Sequence, residues 1–137
     1  MRIKFKNENI LNPPFILRGE VVRGNGLGRG VNMPTANLCV PPGADLPRHG
    51  VYASVVRFGG SEYIGLTNVG TRPTVDDSGA VTIETWLPDY DGDLYSLTIE
   101  ISLRFFIREI RKFDGLAGVK AQVDADAAVA RAYFQSQ

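Results

Sequence analysis

Residues 97–105 read Leu-Thr-Ile-Glu-Ile-Ser-Leu-Arg-Phe, and no other stretch of the 137-residue chain narrows its fold so far. Leu97, Ile99, Ile101, Leu103 and Phe105 alternate with Thr98, Glu100, Ser102 and Arg104. A period of two sends the two sets to opposite faces of a strand, one apolar and one wet. That pattern belongs to antiparallel sheets, because strands of a parallel α/β fold are buried on both faces. Residues 15–22, 51–58, 62–69 and 81–87 are further β-rich runs. Gly59-Gly60 joins two of them with a pair suited to positive φ, and Asp91-Gly92 is another hairpin signal. A helix is expected only at the C-terminus, where Asp114 can cap it and Leu116, Val119, Val123, Ala127, Ala130 and Phe134 recur every three or four residues. Five or six short strands with one terminal helix predict a mainly β chain closed, or nearly closed, into a barrel. Residues 1–14 are polar, end in Asn12-Pro13-Pro14 and read as a lead-in; residues 15–137 read as the barrel domain.

Fifteen basic residues balance fifteen acidic ones, so attraction to nucleic acid or an anionic membrane has no global support. Cys39 is the only cysteine, which excludes an internal disulfide and suits a reducing compartment. The charged start lacks the apolar run of a signal peptide, and no segment approaches the roughly 20 apolar residues a spanning helix needs. The expected location is cytoplasmic.

Chemistry concentrates between residues 24 and 37. Gly24, Gly26, Gly28 and Gly30 alternate with other residues, a spacing poor for strand or helix. Such a loop lets backbone N–H groups approach a ligand and form a concave anion site, with phosphate the obvious candidate. A flexible surface turn explains the same glycines. No Gly-Lys-Ser/Thr ending is present, so this is not a Walker A loop, and the dinucleotide spacing is also missing. In Pro34-Thr35-Ala36-Asn37, a hydroxyl and a carboxamide lie two residues apart and share one side of an extended chain. Neutral oxygens of this kind suit Mg²⁺ shared with nucleotide phosphates.

Gly28-Arg29 through Pro34-Thr35-Ala36-Asn37 resembles the phosphate and metal loop of the riboflavin kinase family. Further matches follow in order: Gly50-Val-Tyr-Ala53, Asn68-Val-Gly-Thr-Arg-Pro-Thr74, Glu84, Asp91-Gly-Asp-Leu-Tyr95, Phe106-Ile-Arg-Glu109, Lys112-Phe113, and a closing helix with Gln122, Asp126 and Ala130-Arg131. The resemblance implies a six-stranded antiparallel Greek-key barrel with a C-terminal α-helix. It implies transfer of the γ-phosphate of ATP to the 5′-hydroxyl of riboflavin, with Mg²⁺ as the ion and FMN as product. Thr35 and Asn37 would hold the metal; Gly24, Gly26, Gly28, Arg29, Gly30, Asn32 and Thr35 would line the nucleotide. Glu84 would be the base, and Asp114, Leu116 and Arg108 would lie on the flavin side. In many family members this domain joins an adenylyltransferase domain. No motif of that half is present here, so the chain is expected to stand alone or to have such a domain as an N-terminal partner.

Taken without the family, Glu84 reads as a solvent-facing glutamate, sharing a face with Thr82 and Trp86 opposite Val81, Ile83 and Leu87. Arg108 could serve bound phosphate or pair with a surface carboxylate. His49 reads as structural or exposed, and Tyr52, Phe58, Tyr63 and Phe105 as barrel packing. The chain departs from the family in having Val31-Asn32-Met33 before Pro-Thr, Trp86 where a histidine is frequent, and Ser96 where a glycine is frequent. These departures keep open a catalytically weakened flavin- or nucleotide-binding module. A nucleic-acid-binding Greek-key barrel is the further alternative, disfavoured by the charge balance.

Overall fold

In a computed structural model, the described residues are 5–22, 35–40, 43–71, 81–111, 113 and 115–137. After a short 3₁₀ turn at Asn7–Asn9 come β1 (Ile10–Val22), β2 (Ala36–Leu38), β3 (Gly50–Phe58), β4 (Ser61–Thr71), β5 (Val81–Trp86), β6 (Thr98–Arg108) and α1 (Leu116–Gln135). The strands close in the order β1-β2-β5-β4-β3-β6, with every neighbouring pair antiparallel. Strands β3, β4 and β5 run consecutively and β6 returns beside β3, which is the Greek-key arrangement expected. The seam is narrowest between β1 and β2, where only Val21 and Val22 pair with Leu38 and Asn37.

The Gly59-Gly60 turn forms as the sequence indicates, with φ of 58° and 79°, and seats Phe58 opposite Ser61. Asp91-Gly92 does not make a hairpin. Strands β5 and β6 are not neighbours, so this pair belongs to the connection that crosses between them. Strand β1 starts at Ile10, inside the stretch expected to be a lead-in, and pairs Ile10 with Phe105. Its ladder shifts register between Ile10 and Phe15, around two prolines that cannot donate to it.

Alternation along β6 holds through Ile99, Ile101 and Leu103, all at most 1% exposed inside the barrel. It then breaks. Ala53 pairs with Phe105 but Ser54 with Leu103, so Arg104 is an extra residue, a β-bulge. Phe105 therefore turns outward and Phe106 inward, against the simple period of two. A second irregularity, where Val51 pairs with Arg108 and Tyr52 with Phe106, shifts the strand again.

The interior core gathers Leu17, Val21, Leu38, Tyr52, Val56, Val69, Ile83, Ile99, Ile101 and Leu103. Each fully buried branched side chain contributes roughly 1.5–3 kcal/mol. Three hydroxyls share that interior: Ser54 Oγ lies 2.8 Å from Thr67 Oγ1, which lies 2.9 Å from Thr85 Oγ1. Thr85 then donates to the Leu66 carbonyl at 3.2 Å, so the buried chain of hydroxyls ends on an acceptor. Gly65 leaves it room: a Cβ there would approach Ser54 Oγ to 2.7 Å.

A second core lies outside the barrel, where α1 covers β3, β4 and β6. Ala127, Ala130 and Tyr133 meet Ala53, Leu66 and Phe105, with the Tyr133 and Phe105 rings stacked at 4.8 Å. Tyr52, Phe58 and Tyr63 pack with the barrel interior as expected, whereas Phe105 packs beneath the helix. Asp114, the expected cap, lies outside the described residues; the residue preceding the helix is Gly115, which offers no side-chain cap. The helix is held by its buried face.

Candidate active site

The outer surface of the barrel carries the site. Cross-strand register aligns Asn37 on β2 with Glu84 on β5, Glu84 with Asn68 on β4, Asn68 with Val51 on β3, and Val51 with Arg108 on β6. One row of outward side chains thus runs across five strands. The irregularities in β6 bring Arg108 into that row. The N-terminal half of α1, with Ile110, Arg111 and Phe113, overhangs it, leaving a cleft of about 240 Å³. Val51, Leu66, Trp86, Ile110, Phe113, Val119 and Val123 form its apolar walls, and Thr35, Asn68, Glu84, Arg108, Arg111 and Asp126 its polar groups. Mostly apolar walls with a few convergent polar groups are the usual form of a small-molecule site.

Glu84 does face the outer side of its strand, but it is only 7% exposed, so it is no solvent-facing glutamate. Thr35 lines the same cleft, and its Oγ1 is buried with no hydrogen-bond partner among the described residues. An unsatisfied buried hydroxyl is costly and marks a place where a bound group can complete its bonding. Asn37 is 9% exposed and is Glu84's cross-strand neighbour, though outside the cleft lining.

Arg108 realises part of each expectation. It lines the cleft and pairs with a carboxylate, but the partner is buried Asp126 rather than a surface acid. Its Nε donates to both Asp126 oxygens at 3.1 and 3.0 Å, and a terminal nitrogen lies 2.9 Å from Oδ2. Gln122 Nε2 also donates to Asp126 at 2.9 Å, and its Oε1 accepts from Arg111 at 3.1 Å. This network ties the end of β6 and the overhanging segment to α1. Leu116 stands apart, 56% exposed at the helix start and not part of the cleft lining. Gly24, Gly26, Gly28, Arg29, Gly30, Asn32 and Asp114 lie outside the described residues.

Asn68, Trp86, Phe113 and Asp126 belong to the cleft without having been assigned a role from sequence. For Asp126 a signal existed. It falls three residues after Val123 and four before Ala130, so an acid occupies the apolar stripe of the helix and needs a buried partner. Among the described residues no cluster of three or more His, Cys, Asp or Glu could hold a metal unaided. The neutral oxygens of Thr35 and Asn37 nevertheless fit a Mg²⁺ ion that shares its coordination with a nucleotide.

Fold and site together define a closed Greek-key barrel with a helix-roofed, mostly apolar cleft on its outer wall, lined by a buried carboxylate and by a hydroxyl unpartnered among the described residues. The riboflavin kinase family model matches residues 11–134, and the chain belongs to the riboflavin kinase family. A relative from Listeria monocytogenes, a bifunctional riboflavin kinase/FMN adenylyltransferase, is 34% identical over 125 residues, covering 91% of this chain and 40% of that one. This chain therefore spans less than half the length of that relative. A crystal structure of a Streptococcus pneumoniae protein described as a macrolide-efflux protein is similar at TM-score 0.78 and 33% identity, over 86% of this chain and 38% of that one. Efflux is said of that longer protein; here no helix among the described residues is long and apolar enough to cross a membrane. Riboflavin kinase from Trypanosoma brucei is similar at TM-score 0.61 and 21% identity, over 98% of this chain and 83% of that one, a likeness of fold.

Proposed function

We propose that the chain transfers the γ-phosphate of ATP to the 5′-hydroxyl of riboflavin, giving FMN and ADP. The observation that carries this reading is that Glu84 and the Thr35 hydroxyl, which has no partner among the described residues, line one mostly apolar cleft. The apolar walls suit the fused ring of riboflavin, and the polar foot suits the hydroxyl that reacts. Glu84 accepts the proton of that hydroxyl as its oxygen bonds to the γ-phosphorus, while the bond from phosphorus to the bridging oxygen breaks and ADP leaves. Thr35 and Asn37 hold Mg²⁺, which neutralises charge on the phosphates when bound. Gly24, Gly26, Gly28, Arg29, Gly30 and Asn32 belong to the proposed nucleotide loop, and Asp114 and Leu116 to the rim near the flavin. Arg108 acts by anchoring Asp126 and the helix that roofs the ring.

The test is Glu84→Gln, which keeps shape but cannot take a proton. Turnover should fall by about 10²-fold or more, with riboflavin affinity nearly unchanged. Equal turnover in variant and parent would leave Glu84 a buried structural residue and remove the base from the scheme.

A further inference from the structure

Trp86 is the only tryptophan of the chain. It follows Glu84 by two residues on β5, so both project from the outer face, roughly 7 Å apart along the strand. Its cross-strand neighbour is Leu66, and both line the cleft beside Phe113 and Val123. Trp86 also packs partly buried against the core beneath α1, which restricts the indole while leaving part of it uncovered.

Within the cleft, Glu84 and Asn68 share one register row and Trp86 and Leu66 the next; continuing the β2–β5 register sets Thr35, just before β2, opposite Trp86 on its other side. Trp86 thus stands between Thr35 and the apolar Leu66 wall, one row from Glu84, a position that a planar, electron-poor ring covers when its short polyol reaches Glu84. We propose that Trp86 lies in van der Waals contact with the fused ring of bound riboflavin and sets this chain's affinity for it. The inference rests on the riboflavin reading above. An electron-rich indole face against an electron-poor ring gains from area burial and from the offset-stacked geometry aromatic pairs prefer. A wall contact made equally in ground state and transition state changes KM and leaves kcat alone.

Contact has a signature of its own. Emission from a flavin ring is quenched by electron transfer from an indole that touches it, and the electron returns without net reaction. No tyrosine is among the described residues lining the cleft to do the same. The experiment measures riboflavin binding by equilibrium dialysis and, in the same samples, the emission of the bound flavin, for the parent, Trp86→Phe and Trp86→His. Bound riboflavin is expected to be dim on the parent and several-fold brighter on Trp86→Phe, which keeps an apolar wall. Trp86→His should weaken binding about tenfold, with kcat within about twofold of the parent. Bright flavin on the parent, or flavin as dim on Trp86→Phe as on the parent, overturns the placement of Trp86 while leaving riboflavin as substrate. No riboflavin retained by the folded parent in dialysis overturns the substrate reading and this placement with it.

Discussion

Thr35 shows how much depends on one atom. Its Oγ1 is buried and unpartnered among the described residues, a cost the protein carries unless something supplies the missing bond. A Mg²⁺ ion bound only by neutral oxygens is held weakly, so the site should fill when nucleotide brings its phosphates. Thr35→Val keeps the branching and removes the oxygen; Asn37→Leu removes the other donor at similar bulk. Each should raise the Mg²⁺ concentration needed for half-maximal activity, by about tenfold for the loss of one ligand, and should weaken MgATP much more than riboflavin. Removing an unsatisfied hydroxyl should also leave Thr35→Val at least as stable as its parent. Early melting of both variants with an unshifted Mg²⁺ midpoint would assign these residues to the scaffold instead. In sequence, Thr35 and Asn37 were legible as a pair of oxygens two residues apart. The burial of the hydroxyl was not, because it depends on distant strands folding around it.

At the scale of elements, the join between β6 and α1 decides whether the cleft has a roof. Helix α1 starts without a side-chain cap, and its buried residues include an acid, Asp126, at 2% exposure. Arg108 meets that acid through both oxygens with its own side chain only 18% exposed, so solvent screens the pair weakly. Asp126→Asn leaves a largely buried guanidinium without its counter-charge, a change that costs about 3 kcal/mol. Denaturant unfolding should show that loss, and replacing both residues together, Arg108→Met with Asp126→Leu, should recover most of it. A loss under about 1 kcal/mol in the single variant would mean that the pair behaves as an exposed one. Elements were legible in sequence where their pattern is local. Residues 97–103 alternate cleanly, and Gly59-Gly60 turns as such pairs do. The pattern fails at Arg104, because a bulge inserts one residue and exchanges the faces of Phe105 and Phe106. Strand β2, only Ala36–Leu38, is too short to announce itself by periodicity, and it exists because β1 and β5 flank it. Asp91-Gly92 misled for the complementary reason: turn chemistry is local, whereas the pairing of β6 with β3 and β1 is not.

For the whole molecule, five of the six strands and the terminal helix follow from patterns the chain displays openly, and the Greek-key order agrees with the family resemblance. The cleft was less legible, since it assembles from Thr35, β3, β4, β5, β6 and α1, with Glu84 in a cross-strand row no single segment reveals. On the proposed reading, the chain should form FMN without carrying it on to FAD. The decisive measurement follows the phosphate itself: riboflavin, Mg²⁺ and ATP labelled in its γ-phosphate are incubated with the purified chain, and the products are separated by chromatography. Label is expected to appear in FMN, matched one-to-one by ADP, with no FAD and with the signal reduced by about 10²-fold in Glu84→Gln. Label released as free phosphate, or riboflavin recovered unphosphorylated from a folded chain that binds it, would contradict phosphoryl transfer in this cleft.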